Sequence, residues 1–325
     1  RKMVRNLKKL IEQVAKDKNI PEWLVEKALK NSIVLAIKKD KKLKNNLEVE
    51  LTEDGIKVYQ VRKGEKFPLD IVPQELDRIA AYAAKEEFLR ELERADEERR
   101  YLEFIELEGE IVIGIVRRVL ENGDLVVDLG KVMAVLPKRE QIPKESYKPG
   151  DRIKALLLKV IRKRGTYEII LSRTHPNFLR KLLEAEIPEV KEGEVEVLNI
   201  AREPGERAKV LVKAKDPRID PVGLVVGLRG SKIAPITQQL SGERIDVIKY
   251  TDNIEELVRK SLAPAPVVDM RIDPNQKRVE VAVPKEKLSS AIGKRGVNVK
   301  LANRITGWYI DVMSEEDFRK LSQLS

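Results

Sequence analysis

The chain has 325 residues, with 64 Lys and Arg against 54 Asp and Glu, a formal charge of +10 and no cysteine. That length exceeds one ordinary core and calls for about two to four domains. The missing cysteines exclude a disulfide framework, a thiolate metal site and a thiol nucleophile, and they fit a reducing, cytoplasmic setting. An isoelectric point near 9.4 points to an anionic partner, most often nucleic acid. The charged start, residues 1–10, reads as no signal peptide. No apolar run approaches the roughly 18 residues of a membrane span, so no membrane role is expected.

In chain order, residues 1–46 carry 14 basic and 5 acidic side chains, and residues 1–40 read as two helices. Leu7, Leu10, Ile11 and Val14 recur at helical spacing, and Asn19-Ile20-Pro21 breaks and restarts the pattern. Trp23, Leu24, Ala28, Leu29, Val34 and Ile37 then supply an apolar face, which assigns Trp23 to the core. Leu47–Leu51 alternates strictly, Glu53-Asp54-Gly55 turns, and Ile56–Val61 returns, a hairpin. Residues 73–105 form one long helical pattern, with Leu76, Ile79, Ala83, Leu89 and Leu92 placed to pack on the N-terminal helices. Its second half is polar nearly all round, as in a solvent-bridging rod.

From Gly109 the pattern changes to short β-like runs: 111–119, 124–129, 132–136, 152–161 and 168–171. Turns at Asn122-Gly123, Leu129-Gly130, Pro149-Gly150 and Arg164-Gly165 separate them. Five such strands fit a small oligonucleotide-binding barrel. Residues 111–182 carry 16 basic and 7 acidic side chains. Arg117, Arg118, Lys159, Arg162, Lys163 and Arg164 are the expected phosphate contacts. Tyr147 and Tyr167 are the only aromatic residues between Gly109 and Ser172, so weak, sequence-tolerant and salt-sensitive binding is expected here. His175, the only histidine, lies beside Pro176 and reads as a turn residue rather than a catalyst. A connecting helix follows over 177–185.

The remaining chain contains a repeat. Gly227-Leu228-Arg229-Gly230 precedes Ser231-Lys232-Ile233, and Gly293-Lys294-Arg295-Gly296 precedes Val297-Asn298-Val299. Each loop sits between an apolar stretch and an amphipathic one, and each amphipathic stretch ends at a glycine, Gly242 or Gly307. Paired β-like runs precede the loops: 195–200 with 208–212, and 267–272 with 278–283. A third run follows each loop, at 244–248 and 308–312. Glycines let the backbone turn sharply and admit a ligand's backbone with no Cβ in the way. A helix opening after the second glycine favours phosphate, and the basic residues add charge. One such loop would be weak evidence, because a plain helix–turn–helix connection explains it equally well. Two copies in matched context are much harder to explain that way.

The order helix, strand, strand, helix, Gly-x-x-Gly, helix, strand resembles the prokaryotic, type II KH domain, a module that clamps about four nucleotides of single-stranded RNA. The run Lys148-Pro149-Gly150-Asp151 leading into an apolar strand looks like the barrel repeated in ribosomal protein S-one. A helical and α+β N-terminal domain, this barrel and two tandem KH domains make a multidomain α+β chain that resembles the NusA family of bacterial transcription elongation factors. Segments that carry the resemblance are 186–190, 201–210, 216–223, 242–246 and 288–296 running on to Gly307-Trp308.

The resemblance implies four parts: 1–105 docking on RNA polymerase, 106–175 the barrel, 176–250 the first KH domain with a linker helix over 176–187, and 251–325 the second. It implies contact with nascent RNA at Gly227, Leu228, Arg229, Gly230, Ser231 and Lys232, and at Gly293, Lys294, Arg295, Gly296 and Asn298. It implies longer hairpin-dependent pauses, modulated intrinsic termination, and antitermination together with other Nus factors, by a monomer with no cofactor and no catalytic role. The stretch 64–73 is shorter than the family usually shows, so a reduced N-terminal head is expected. The sequence ends at Ser325, so regulation through the acidic C-terminal repeats of some members is expected to be absent. The competing readings are an RNA-capture subunit of an RNA-degradation complex and a ribosome-associated RNA-binding protein. The first is disfavoured because no phosphate-binding catalytic core precedes the barrel. Polymerase co-purification separates the second from a transcription role.

Overall fold

A computed structural model describes residues 1–324. The chain divides into two compact units, the first Arg1–Phe104 with Arg164–Tyr167 and the second Ile105–Lys163 with the residues from Glu168 onward.

In the first unit, helix α1 (Lys2–Lys18) ends at Asn19, whose left-handed backbone returns its N–H to the Ala15 carbonyl. Pro21 then leads into α2 (Glu22–Lys41). Strands β1 (Asn46–Thr52), β2 (Gly55–Arg62) and β3 (Glu65–Pro68) form an antiparallel sheet. The expected hairpin thus gains a third strand, hidden in the sequence because all four of its residues are exposed. Helix α3 (Pro73–Tyr82) passes through a π-helical turn, Ala83–Glu87, into α4 (Phe88–Glu103). Leu7, Ile11, Leu29, Ile33, Val58 and Phe88 share one core.

Two expectations fail here. Trp23 is 60 % exposed. It stands two residues before the fully buried Val25, about 200° round the helix at about 100° per residue, so burying one face turns Trp23 outward. Leu89 is likewise exposed, because the π turn inserts an extra residue and rotates α4 to bring Phe88 and Leu92 inward instead.

The second unit opens with a closed five-stranded barrel: β4 (Ile111–Val119), β5 (Leu125–Asp128), β6 (Met133–Leu136), β7 (Arg152–Lys163) and β8 (Thr166–Ser172). The strand order is β4-β5-β6-β8-β7, and β7 closes on β4. Helices α5 (Pro176–Glu186) and α6 (Pro188–Lys191) follow, and His175 caps α5 by accepting the Asn177 N–H at Nδ1.

Next come β9 (Val195–Glu203), β10 (Arg207–Ala214), α7 (Pro221–Val226), α8 (Ala234–Gln239) and β11 (Arg244–Lys249). The plan repeats as α9 (Ile254–Ser261), β12 (Asp269–Asp273), β13 (Arg278–Val283), α10 (Leu288–Ile292), α11 (Val297–Thr306) and β14 (Tyr309–Ser314), closed by α12 (Glu315–Leu324). In each copy the middle strand pairs antiparallel with the first strand and parallel with the last.

Shared cores bind these parts together. Ile142 and Leu156 of the barrel pack with Phe178, Leu182 and Val210. Val297, Leu301 and Ile305 of α11 pack on Ala201, Leu211 and Ile248 of the first repeat's sheet. Burying side chains of this size contributes about 1.5–3 kcal/mol each before entropy is counted, so the two repeats meet through a common core and not through a flexible tether.

Candidate nucleic-acid interface

The two Gly-x-x-Gly loops follow one backbone path. Gly227 has φ 75° and ψ 171°, and Gly293 has φ 82° and ψ 166°. This region is open only to glycine. Arg229 and Arg295 both take the left-handed conformation at φ 55°, and Gly230 and Gly296 follow at 76° and 73°.

The two glycines of each loop do different things. A Cβ on Gly227 would lie 2.9 Å from the Lys232 N, and one on Gly293 would lie 2.7 Å from the Asn298 N. The chain's own next turn fills that space, which corrects the expectation that a ligand approaches there. A Cβ on Gly230 or Gly296 meets nothing closer than 3.8 Å, so the open approach lies at the second glycine. Gly296 caps α11 directly. In the first loop, Ser231–Ile233 form an intervening turn before α8 begins at Ala234.

Leu228 is 84 % exposed, and Arg229, Ser231, Lys294 and Arg295 are exposed beside it in their loops. Lys232 is half-buried, and its ammonium donates to both Glu189 oxygens at 3.2 and 3.3 Å. Arg295 donates to Glu206, in the β9–β10 turn of the other repeat. Asn298 corrects an expectation: it is 1 % exposed and donates to the Ala291 carbonyl at 2.8 Å. Its place is the seam between α10 and α11, where it holds the loop's shape and cannot touch an RNA chain.

The six barrel cations separate into two groups. Arg117 and Arg118 lie at one end of the β4–β7 ladder, where Arg117 donates to Asp128 at 3.0 Å. Lys159, Arg162 and Lys163 lie toward the other end of β7, and Arg164 turns there with φ 53°. From the pairing of Ile111 with Leu156, Arg117 and Lys159 stand about nine residues apart along the strands, roughly 30 Å at about 3.3 Å per residue.

The sequence reading missed two buried ion pairs beside these surfaces. Arg173, 4 % exposed, donates from Nε and Nη2 to the two Glu145 oxygens at 2.9 and 2.8 Å. Its Nη2 also reaches the Gln239 carbonyl of α8 at 2.8 Å, and its guanidinium lies over the Phe178 ring. Ser241 and Tyr147 donate to the same carboxylate. Burial acts to raise the Glu145 carboxyl, but the Arg173 hydrogen bonds prevail and hold it below its ordinary value. Burial, reinforced by Glu145, pushes the Tyr147 phenol well above its ordinary value.

The second pair, Arg202 and Glu243, is bidentate at 2.8 Å with side chains 1 % and 0 % exposed. Glu243 also accepts the Gly205 N–H at 2.7 Å, fixing the turn that carries Glu206. The signal available in the sequence was the pair of segments 201–210 and 242–246, which are the two halves of this contact.

Residues 107–173 match the S1 RNA binding domain, 173–250 the NusA-like first KH domain, and 254–320 the NusA-like second KH domain. The chain is similar to the transcription termination/antitermination protein NusA of Bacillus subtilis, with 36 % identity covering 94 % of this chain and 90 % of that protein. The protein of the same name from Halalkalibacterium halodurans is 42 % identical over 79 % of this chain and 67 % of its own length. That from Thermus thermophilus is 38 % identical over 79 % and 66 %. With this identity spread over nearly its whole length and three matching domains in order, the chain belongs to the NusA family.

Proposed function

We propose that this chain is a non-enzymatic transcription elongation factor that holds nascent single-stranded RNA and regulates pausing, intrinsic termination and antitermination. The observation that carries the reading is the pair of Gly-x-x-Gly loops: two closely matching backbone paths with exposed cations, joined through the core that α11 shares with the first repeat's sheet. RNA phosphates sit at Arg229 and Gly230, and at Lys294, Arg295 and Gly296, with Leu228 and Ser231 beside them. Arg117, Arg118, Lys159 and the 162–164 turn add salt-sensitive contacts at the barrel.

The working parts are 1–105, 106–175, 176–250 and 251–325. The first docks on RNA polymerase, and the assembly works with other Nus antitermination factors as a cytoplasmic monomer. Among the described residues no helix is long and apolar enough to cross a membrane, and no group of three or more His, Asp or Glu could hold a metal.

The test is transcription through a hairpin pause site by a bacterial RNA polymerase, with the full chain and with a version lacking residues 1–105. The full chain lengthens the pause and the shortened one does not. If neither changes the pause while both bind RNA, the role lies elsewhere, with an RNA-processing or ribosomal partner.

A further inference from the structure

A cavity of about 500 Å³ opens at the seam between the barrel and the first KH domain. Its volume falls inside the roughly 300–1,000 Å³ of small-ligand sites. One wall is the outer face of the β4–β7 ladder. There Ile113 stands directly opposite Lys154, and Ile115 opposite Arg152. Opposed residues share a face, so two aliphatic side chains, 46 % and 39 % exposed, alternate with two cations on the barrel surface. The other wall is the end of α8, Gln238 and Gln239, with Tyr147 and Ser241 between.

The charges in this cavity do not cancel. Arg173 is neutralised by Glu145, its bidentate partner. Among the described residues the side chains of Arg152 and Lys154 form no ion pair, and the side-chain amides of Gln238 and Gln239 form no hydrogen bond. The seam is therefore a recess with two uncompensated positive charges, an apolar wall of Ile113 and Tyr147, and two amides that both donate and accept. That set suits one unpaired nucleotide: an anionic phosphate, a flat apolar base face, and a polar base edge. Geometry links it to the first loop, because α8 starts at Ala234, just after the Ser231–Ile233 turn that follows the loop, and rises only about 9 Å over its six residues to Gln239 at about 1.5 Å each.

We propose that this seam is a third RNA-binding site, in which Arg152 and Lys154 hold the phosphate of one unpaired nucleotide. Its base lies against Ile113 and Tyr147, within reach of Gln238 and Gln239. The inference rests on the RNA-binding reading above and adds residues outside the Gly-x-x-Gly loops and the six barrel cations. It accounts for how a barrel poor in exposed aromatic residues contributes to binding: its second wall comes from the KH domain.

The experiment is an anisotropy titration of the full chain with two labelled oligouridylates. One is about four nucleotides long, enough for a single KH loop, and the other roughly four times that length. Arg152→Gln with Lys154→Gln lowers affinity for the long RNA tenfold or more and leaves the short one within about twofold. It flattens the slope of log K against log salt for the long RNA by about 0.7, the value for one phosphate on a single strand. With 4-thiouridine in the long RNA, crosslinks map to Tyr147 or Gln239. Circular dichroism melts check that the variants fold. Long-RNA affinity and slope unchanged by the double variant overturn the seam site. The loop variants Arg229→Asp and Arg295→Asp separate the two readings. If they weaken both oligomers while the seam variants change nothing, the seam alone is wrong. If they change neither, the KH reading falls and the seam inference falls with it.

Discussion

Arg295, at the tip of the second KH loop, donates a hydrogen bond to the Glu206 carboxylate in the turn of the first KH domain. The hydrogen bond from Arg295 holds Glu206 below its ordinary value, and the positive charges of Lys294 and Lys144 add to it. A carboxylate thus occupies the arginine at which we propose that an RNA phosphate sits. Glu206→Gln removes that competitor and raises single-stranded RNA affinity by a factor of roughly two to five, the scale of an exposed ion pair. The gain shrinks at high salt. Titrations at two ionic strengths check this, and a loss of affinity would mean that Glu206 presents Arg295 to RNA instead of shielding it.

The first glycine of each loop is expected to be the intolerant one. Gly293→Ala meets the Asn298 backbone at 2.7 Å and keeps φ near 82°, a strain of order 1–3 kcal/mol before the clash is counted. Gly296→Ala meets only the Lys300 side chain at 3.8 Å and carries the backbone strain alone. Thermal melts should therefore place the first variant well below the second, and equal midpoints would count against the geometry described.

Glu243 is fully buried and satisfies Arg202 and the Gly205 N–H together. Glu243→Ala leaves a buried guanidinium without its counter-charge and should cost about 3–5 kcal/mol. Arg202→Met combined with Glu243→Leu should recover a good part of that loss, because apolar groups of similar volume do not need each other's charge. Unfolding midpoints of the single and double variants decide the matter.

Tyr147 supplies an alkaline signature. Burial raises its phenol above the ordinary value of 10.0. Above that pH the unfolded chain loses the phenolic proton while the folded chain keeps it. The unfolded state then binds fewer protons, so stability falls as pH rises. Tyr147→Phe removes this term, so its melting temperature should decline less than the parent's between about pH 10 and pH 11. Parallel declines would show that the phenol titrates normally.

The parts of the fold carried by local pattern were legible from the residues alone. The strands β4 and β13 run over 111–119 and 278–283 as the alternation and turn residues indicate. The repeated Gly-x-x-Gly pattern located both loops because the glycines answer to backbone geometry, which spacing reports. Contacts across long separations were not legible. Arg173 and Glu145 lie 28 residues apart, and Arg202 and Glu243 lie 41 apart. Nothing in a charged residue's neighbours says that it will be buried against one so distant. Asn298 failed for a related reason: a polar residue just after a glycine loop looks like a ligand contact, but α11 turns that position into the seam with α10. Trp23 shows the limit of composition, since a large aromatic residue on an amphipathic helix still follows the phase set by Val25 and Leu29.

The central claim is that the two loops hold single-stranded RNA on one rigid surface. The most direct measurement is the affinity of the full chain for a labelled single-stranded RNA long enough to span both loops, compared with Arg229→Asp, Arg295→Asp and the double variant. Aspartate accepts the left-handed backbone at both positions, so the fold survives while the phosphate seat becomes anionic. The account predicts a loss of about tenfold or more for each single variant and a larger loss for the double. Unchanged affinity in the double variant would contradict it.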